Sequence, residues 1–287
     1  MENSRDMLLS TPYILSPATA KMLLEGKTRI SLDLGLTETT VTRTDIGFLL
    51  GEDEDIGNDV LEKIACREDS AYFVDHGAVF QVALAGRHFY KLVPTERAPT
   101  LEIDGIRMHR TSGTTPDRDT EAKLTSLGLD HGNVFDTCTG LGYTASESVR
   151  RGAELVVTVE LEPSVLRIAL INPWSKPLFS DDRIHKILGD SYAVADALPD
   201  ASFDFIIHDP PRHGQAGHLY GLDFYTKLYR LLRPGGRLFH YIGAPRSLSR
   251  GVNLHRGVAR RLSQAGFLEL NYFEEVLGLT CAKPTKP

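Results

Sequence analysis

Only three cysteines, Cys66, Cys138 and Cys281, occur in 287 residues, and no two of them form a CxxC pair. That scarcity excludes a disulfide framework and leaves no cysteine-based zinc site, so no metal is expected. A reducing compartment, the cytoplasm, is the expected location. No apolar run approaches the roughly 20 residues that a membrane span requires. The opening "MENSRDMLLSTPYILSP" lacks the basic start and long apolar core of a secretory signal, and Pro12 and Pro17 break its hydrophobic stretch. Positive charge is also short, since 32 Lys and Arg face 38 Asp and Glu for a formal net charge of −6. A protein that coats nucleic acid by bulk electrostatics is thereby excluded, whereas a local basic strip is not.

What is present reads as a folded chain. Hydrophobic residues at 41% and charged residues at 24% sit near the averages of soluble globular proteins. The length suffices for one large or two modest domains with an ample core. Repeats are absent, but the texture changes near residue 105. Before it, "TRISLDLGL", "TETTVTRT", "DIGFLL", "GAVFQVALAGRHFYKLV" and "LEIDGI" are short segments rich in β-branched and aromatic residues. They predict a small, mostly β domain over residues 1–105, interrupted by one helix in "GNDVLEKIACRE" with Asn58 as its cap.

Residues 106–287 form the second predicted domain. "HRTSGTTPDRDT" reads as a linker or ordered loop, after which strand and helix alternate. "NVFDT", "ELVVTVE", "RIHKILGD", "FDFIIHD" and "GRLFHYIG" are the predicted strands; "ASESVRRG", "PSVLRIALIN", "DFYTKLYRLLR" and "NLHRGVARRLSQAG" are the helices between and after them. Short apolar strands alternating with helices imply a parallel sheet covered on both faces. "FLELNYFEEVLGLTCAKP" reads as an antiparallel pair at the sheet edge.

Ligands of such sheets bind outside the carboxyl ends of the strands. There the chain places Asp136 with "TCTGLG", then Glu160, Asp190 and Asp209. Gly140 and Gly142 allow a tight turn and close approach of the backbone to a ligand. A dinucleotide fingerprint would need a third glycine where Ala145 stands, and no Gly-Lys-Ser/Thr follows to make a Walker A loop. Glu160, 18 residues after Gly142, is placed to accept the hydroxyl protons of a ribose. Asp190 adds a carboxylate suited to an exocyclic amine, so the set points to an adenosine ligand without phosphates.

"VFDTCTGLGYTA", "VVTVELEP", "ILGDS", "FDFIIHDPP" and "LLRPGGRLFHY" together resemble the successive motifs of class I S-adenosylmethionine-dependent methyltransferases. The resemblance covers about residues 130–275 and implies a Rossmann-like α/β sheet of seven strands with a reversed last strand. It also implies S-adenosylmethionine as cofactor. Asp136, Thr137, Gly140 and Gly142 would line its methionine part, Glu160 and Leu161 the ribose, Asp190 and Ser191 the adenine, with Asp209 closing the site. The set is also similar to a group of predicted archaeal methyltransferases with the same "HDPPR" loop.

In amino-methyltransferases an Asp/Asn-Pro-Pro-aromatic loop holds the target amine. Asp209, Pro210 and Pro211 match it and, with Arg212, are the catalytic candidates; Arg212 departs from the pattern, removing the aromatic platform on which a flipped base would stack, but can itself stack on a planar group or clamp a phosphate or carboxylate. His213 and His218 share the loop and can accept protons. The implied activity is methylation of a nitrogen, with RNA as the first acceptor to consider, given the basic helix in "HRGVARRL". Upstream, Arg110, Thr111, Asp119, Thr120 and Lys123 are candidates for contact with cofactor or substrate. The plainer expectation is a helix capped by Asp119 or Thr120, with Lys123 in solvent. Two other readings stay open: a polyamine aminopropyltransferase resembling spermidine synthases, using decarboxylated S-adenosylmethionine, and a non-catalytic scaffold.

Overall fold

The computed structural model describes residues 13–52, 54–67, 69–211, 216–243 and 254–285. Two compact units make up the chain, Met1–Asp117 with Ser164–Lys176, and Arg118–Pro163 with Pro177–Pro287.

The first unit is built of short antiparallel pieces. Tyr13–Leu15, Tyr72–Asp75 and Ala78–Gln81 form one sheet, and Ala83–Ala85, Phe89–Val93, Thr100–Ile103 and Ile106–Arg107 another. The last two strands turn on Asp104 and Gly105, both at positive φ (49° and 78°), which is the backbone a two-residue hairpin requires. Two helices, Pro17–Leu24 and Asn58–Ala65, cover a core that includes Leu15, Leu23, Ile30, Phe48, Leu61 and Ile64. The first of them carries an N-terminal signal that alternation of apolar residues hides. Ser16 accepts a hydrogen bond from the Thr19 amide, and Pro17 occupies the first helical position. In the second, Gly57 holds the cap position, one residue earlier than the predicted cap, and Asn58 is already helical.

The second unit is organised by one sheet. Its strands are β1 (Gly132–Asp136), β2 (Ala153–Glu160), β3 (Ile184–Leu188), β4 (Phe203–His208), β5 (Leu232–Tyr241), β6 (Leu268–Phe273) and β7 (Gly278–Ala282). They lie in the order 3-2-1-4-5-7-6, parallel from β3 to β5, with β7 antiparallel to both its neighbours. This is the largely parallel Rossmann-like α/β sheet that the motif order predicts. Helices α1 (Pro116–Leu127), α2 (Tyr143–Arg150), α3 (Pro163–Ile171), α4 (Ser191–Ala197), α5 (Leu222–Leu231) and α6 (Leu254–Ala265) precede or separate these strands in the chain, and all of α3 but Pro163 falls in the first unit. Phe135, Ile206, Phe224, Leu228, Leu238 and Phe267 are all fully buried in the core of this unit. Each contributes about 1.5–3 kcal/mol by leaving water.

Two boundaries differ from the sequence pattern. Strand β5 begins at Leu232 rather than near Gly236, and Pro234, Gly235 and Gly236 sit within it as a register shift. Gly235 takes φ +84° there, and a Cβ on Gly236 would stand 2.9 Å from the Arg233 carbonyl. Helix α1 begins at Pro116, so Asp119 and Thr120 lie inside it and neither caps it. Among the described residues no helix is long and apolar enough to cross a membrane.

Candidate active site

Strand order reverses between β1 and β4, and the carboxyl ends of the strands flanking that point carry the acidic residues. Asp190 follows β3, Glu160 ends β2, Asp136 ends β1 and Asp209 follows β4. In the sheet these four strands are consecutive neighbours, so four carboxylates stand along one edge.

The glycine loop after β1 is shaped by its backbone. Gly140 (φ +55°) and Gly142 (φ +76°) both adopt the left-handed conformation that costs other residues roughly 1–2 kcal/mol. Their surroundings differ. A Cβ on Gly142 would stand 2.6 Å from Leu178 Cδ2, so this glycine allows close packing of the loop. A Cβ on Gly140 would meet no atom within 4 Å, which leaves open space above that backbone.

Asp136 does not face that space. It is fully buried, and its Oδ2 accepts hydrogen bonds from Thr144 Oγ1 at 2.8 Å and Thr158 Oγ1 at 3.0 Å. The carboxylate thus ties α2 to β2. Glu160 is turned to the loop: it accepts from the Gly140 amide at 2.9 Å and the Glu162 amide at 3.0 Å. Burial pushes Asp136 up to about 7 against the lowering effect of its two hydroxyl partners. Burial likewise pushes Glu160 up to about 7 against the backbone amides of Glu162, Gly140 and Leu161.

Both acids bind a proton more tightly folded than unfolded. Unfolding therefore releases protons between about pH 4 and 7, and stability falls as pH rises through that window. The melting temperature of the ligand-free protein is expected to drop between about pH 5 and pH 8, and Asp136→Asn to flatten part of that drop. A melting profile independent of pH would show that neither acid is raised.

Asp190 caps α4 through the Tyr192 amide at 2.9 Å and lies 3.4 Å from His218 Nε2. His218 therefore stands at the Asp190 end of the row. Ser191 donates to the Thr137 carbonyl and Thr137 Oγ1 bonds His208, so both cross-link strand ends. Leu161 and Leu188 are 56% and 55% exposed, an uncommon state for leucine. They flank Glu160 and Asp190 at the ends of adjacent strands, offering apolar surface beside two acids. Sequence reading named only Leu161; the pairing of Glu160 with Leu188 across β2 and β3 supplies its partner.

At β4, Asp209 is about one-quarter exposed and its Oδ2 lies 2.6 Å from Lys123 Nζ. Lys123 is buried, in contrast to the solvent position expected for it, and also pairs with Asp119 at 2.8 Å. Pro210 is buried and Pro211 exposed, the Pro211 carbonyl accepting from the Tyr220 hydroxyl at 3.0 Å. Arg212 and His213 lie outside the described residues. Of the other upstream candidates, Arg110 and Thr111 belong to the first unit, and Thr120 is buried on α1.

Behind the acid, His208 and His240 are buried and uncharged. The Leu219 carbonyl lies 3.0 Å from His208 Nε2, so that nitrogen carries the proton while Nδ1 accepts from Thr137. His240 Nδ1 donates to the His208 carbonyl, and its Nε2 accepts from Tyr225. Burial pulls His208 down to about 3 and His240 down as well, so neither is a proton acceptor near neutral pH. The basic stretch on α6 is also not wholly a solvent face: Arg261 Nε donates to the Tyr220 carbonyl at 2.8 Å, anchoring the loop that follows β4.

No family model matches the chain. It is 44% identical over 287 aligned residues to the uncharacterised protein MJ1233 of Methanocaldococcus jannaschii, covering 97% of this chain and 98% of that protein. It is 32% identical over 125 residues to polyamine aminopropyltransferase 2 of Streptomyces coelicolor, a match that spans 23% of that enzyme's length. Its fold is similar to a spermidine synthase solved with the transition-state analogue AdoDATO, with a TM-score of 0.59, 17% identity and 74% and 78% of the two chains covered.

Proposed function

Because the chain belongs to the family of Methanocaldococcus jannaschii protein MJ1233, and shares its fold with a spermidine synthase, we propose that it is an S-adenosylmethionine-dependent methyltransferase acting on a nitrogen. The observation that carries this reading is the row of carboxylates on four neighbouring strands, with open backbone at Gly140 between them. Asp190 and the leucines beside it suit the adenine, Glu160 the ribose, and the Gly140 backbone the amino-acid part. Bound there, S-adenosylmethionine would supply a sulfonium methyl whose transfer forms the N–C bond, breaks the S–C bond and leaves a neutral thioether.

The chain's own residues would orient the acceptor. Asp209 accepts a hydrogen bond from the attacking nitrogen and aims its lone pair, a matter of position more than of acid strength. Lys123 and the Tyr220 contact to Pro211 fix the acid and its loop, so little reorganisation is needed. RNA is the first acceptor to screen, and the exposed Arg256 and Arg260 of α6 are cations that could serve it.

Likeness to the aminopropyltransferases favours a second reading, transfer of an aminopropyl group from decarboxylated S-adenosylmethionine. Calorimetric titration of the two cofactors separates them. Tighter binding of the carboxylated form supports methyl transfer. A preference for the decarboxylated form overturns it in favour of the second reading, and binding of neither leaves a scaffold.

A further inference from the structure

Lys123 stands where the transfer reaction by itself needs no cation. It is 5% exposed on α1, with Nζ 2.6 Å from Asp209 Oδ2, 2.8 Å from Asp119 Oδ2 and 4.9 Å from the centre of the Tyr241 ring. Asp119 is itself 3% exposed. An ammonium buried this deeply persists only when paired, and two carboxylates with a ring face supply that pairing. Burial would strip its proton, but Asp209 and Asp119 more than reverse that effect and keep Lys123 charged. The charge of Asp209 is therefore answered before any substrate arrives.

Acceptor amines of two kinds meet this arrangement differently. An aliphatic amine carries a proton near neutral pH, so it would bring a second ammonium to a carboxylate that already holds one. The two cations would repel at short range in a partly buried setting, where solvent screens them weakly. An uncharged nitrogen, such as the exocyclic amine of a heteroaromatic ring, brings no charge. It needs only one acceptor, and Asp209 Oδ1 can serve while Oδ2 stays on Lys123.

We infer that Lys123, held by Asp119, makes the Asp209 carboxylate select an uncharged nitrogen acceptor and reject an aliphatic ammonium. The inference rests on Asp209 lying at the reacting centre, as the proposed function has it. Lys123 acts through Asp209 and is a positioning residue. The arrangement also separates this chain from an enzyme whose acceptor is a polyamine.

The test is calorimetric titration of putrescine, an aliphatic diamine, into wild type, Lys123→Met and Lys123→Arg at neutral pH. Wild type and the arginine variant, which keeps the charge, are expected to bind it at least about tenfold more weakly than the methionine variant. A merely structural role for Lys123 would weaken all binding in the methionine variant and create none. Should that variant not fold, Lys123→Gln, which keeps a hydrogen bond and drops the charge, is titrated with the same expectation. Putrescine binding to wild type as tightly as to the uncharged variant overturns the inference. Titration of S-adenosylmethionine into wild type tests the reading of the site by itself, so the two failures are told apart.

Discussion

Asparagine in place of Asp209 is expected to lower methyl transfer by about 100-fold or more, with the dissociation constant for S-adenosylmethionine within about threefold of wild type. The substitution preserves size and leaves Lys123 paired with Asp119. It removes one carboxylate oxygen and places an amide donor where the attacking nitrogen needs an acceptor. Misplacing a reacting group by about 1 Å costs this much even without loss of binding. Transfer of radiolabelled methyl to the acceptor that wild type modifies gives the rate, and calorimetry gives the affinity. Turnover close to wild type would remove Asp209 from the reacting centre, and a parallel collapse of affinity would reassign it to the cofactor.

The second large effect is expected at Glu160. Its carboxylate offers about four acceptor positions, of which the Gly140, Glu162 and Leu161 amides use three, leaving room for a ribose hydroxyl. Hydrogen bonds to an ionised acceptor are worth roughly 1.5–3 kcal/mol each, so Glu160→Gln should weaken S-adenosylmethionine about 10- to 100-fold above neutral pH. The free protein holds this acid near 7, whereas the ribose favours the ionised form. Below about pH 7 a proton must leave on binding, and the dissociation constant of wild type should rise about tenfold per pH unit as pH falls. The glutamine variant should lose that slope. Affinity unchanged by the substitution would place the ribose elsewhere.

Much of this architecture is legible in the sequence because it is local. Apolar runs such as "NVFDT" and "FDFIIHD" announce buried parallel strands, and the acids that follow them fall at the sheet edge by topology. What escaped is non-local. Asp119 and Lys123 have the spacing of a solvated helix pair, and nothing nearby in sequence reveals that Asp209, 86 residues on, draws the lysine inward. Asp136 has the position of a ligand-facing acid, but Thr144 and Thr158 hydroxyls claim it from two other elements. His218 pairs with Asp190 only because the loop after β4 returns across the edge. The helix at Pro17–Leu24 was readable from its Ser-Pro start, a signal weaker than the alternation around it.

Strand β7 has a consequence for how the molecule comes into being. It slots between β5 and β6, although β5 precedes it by 36 residues and β6 is its immediate predecessor. During synthesis the ten residues of β5 present an open edge, and β6 lacks its partner, until residues 278–282 emerge. The nascent chain thus passes through a stage with four neighbouring strands able to pair correctly and a fifth exposed to foreign β-structure. Emergence of β7, rather than formation of β1, is what closes the edge of β5.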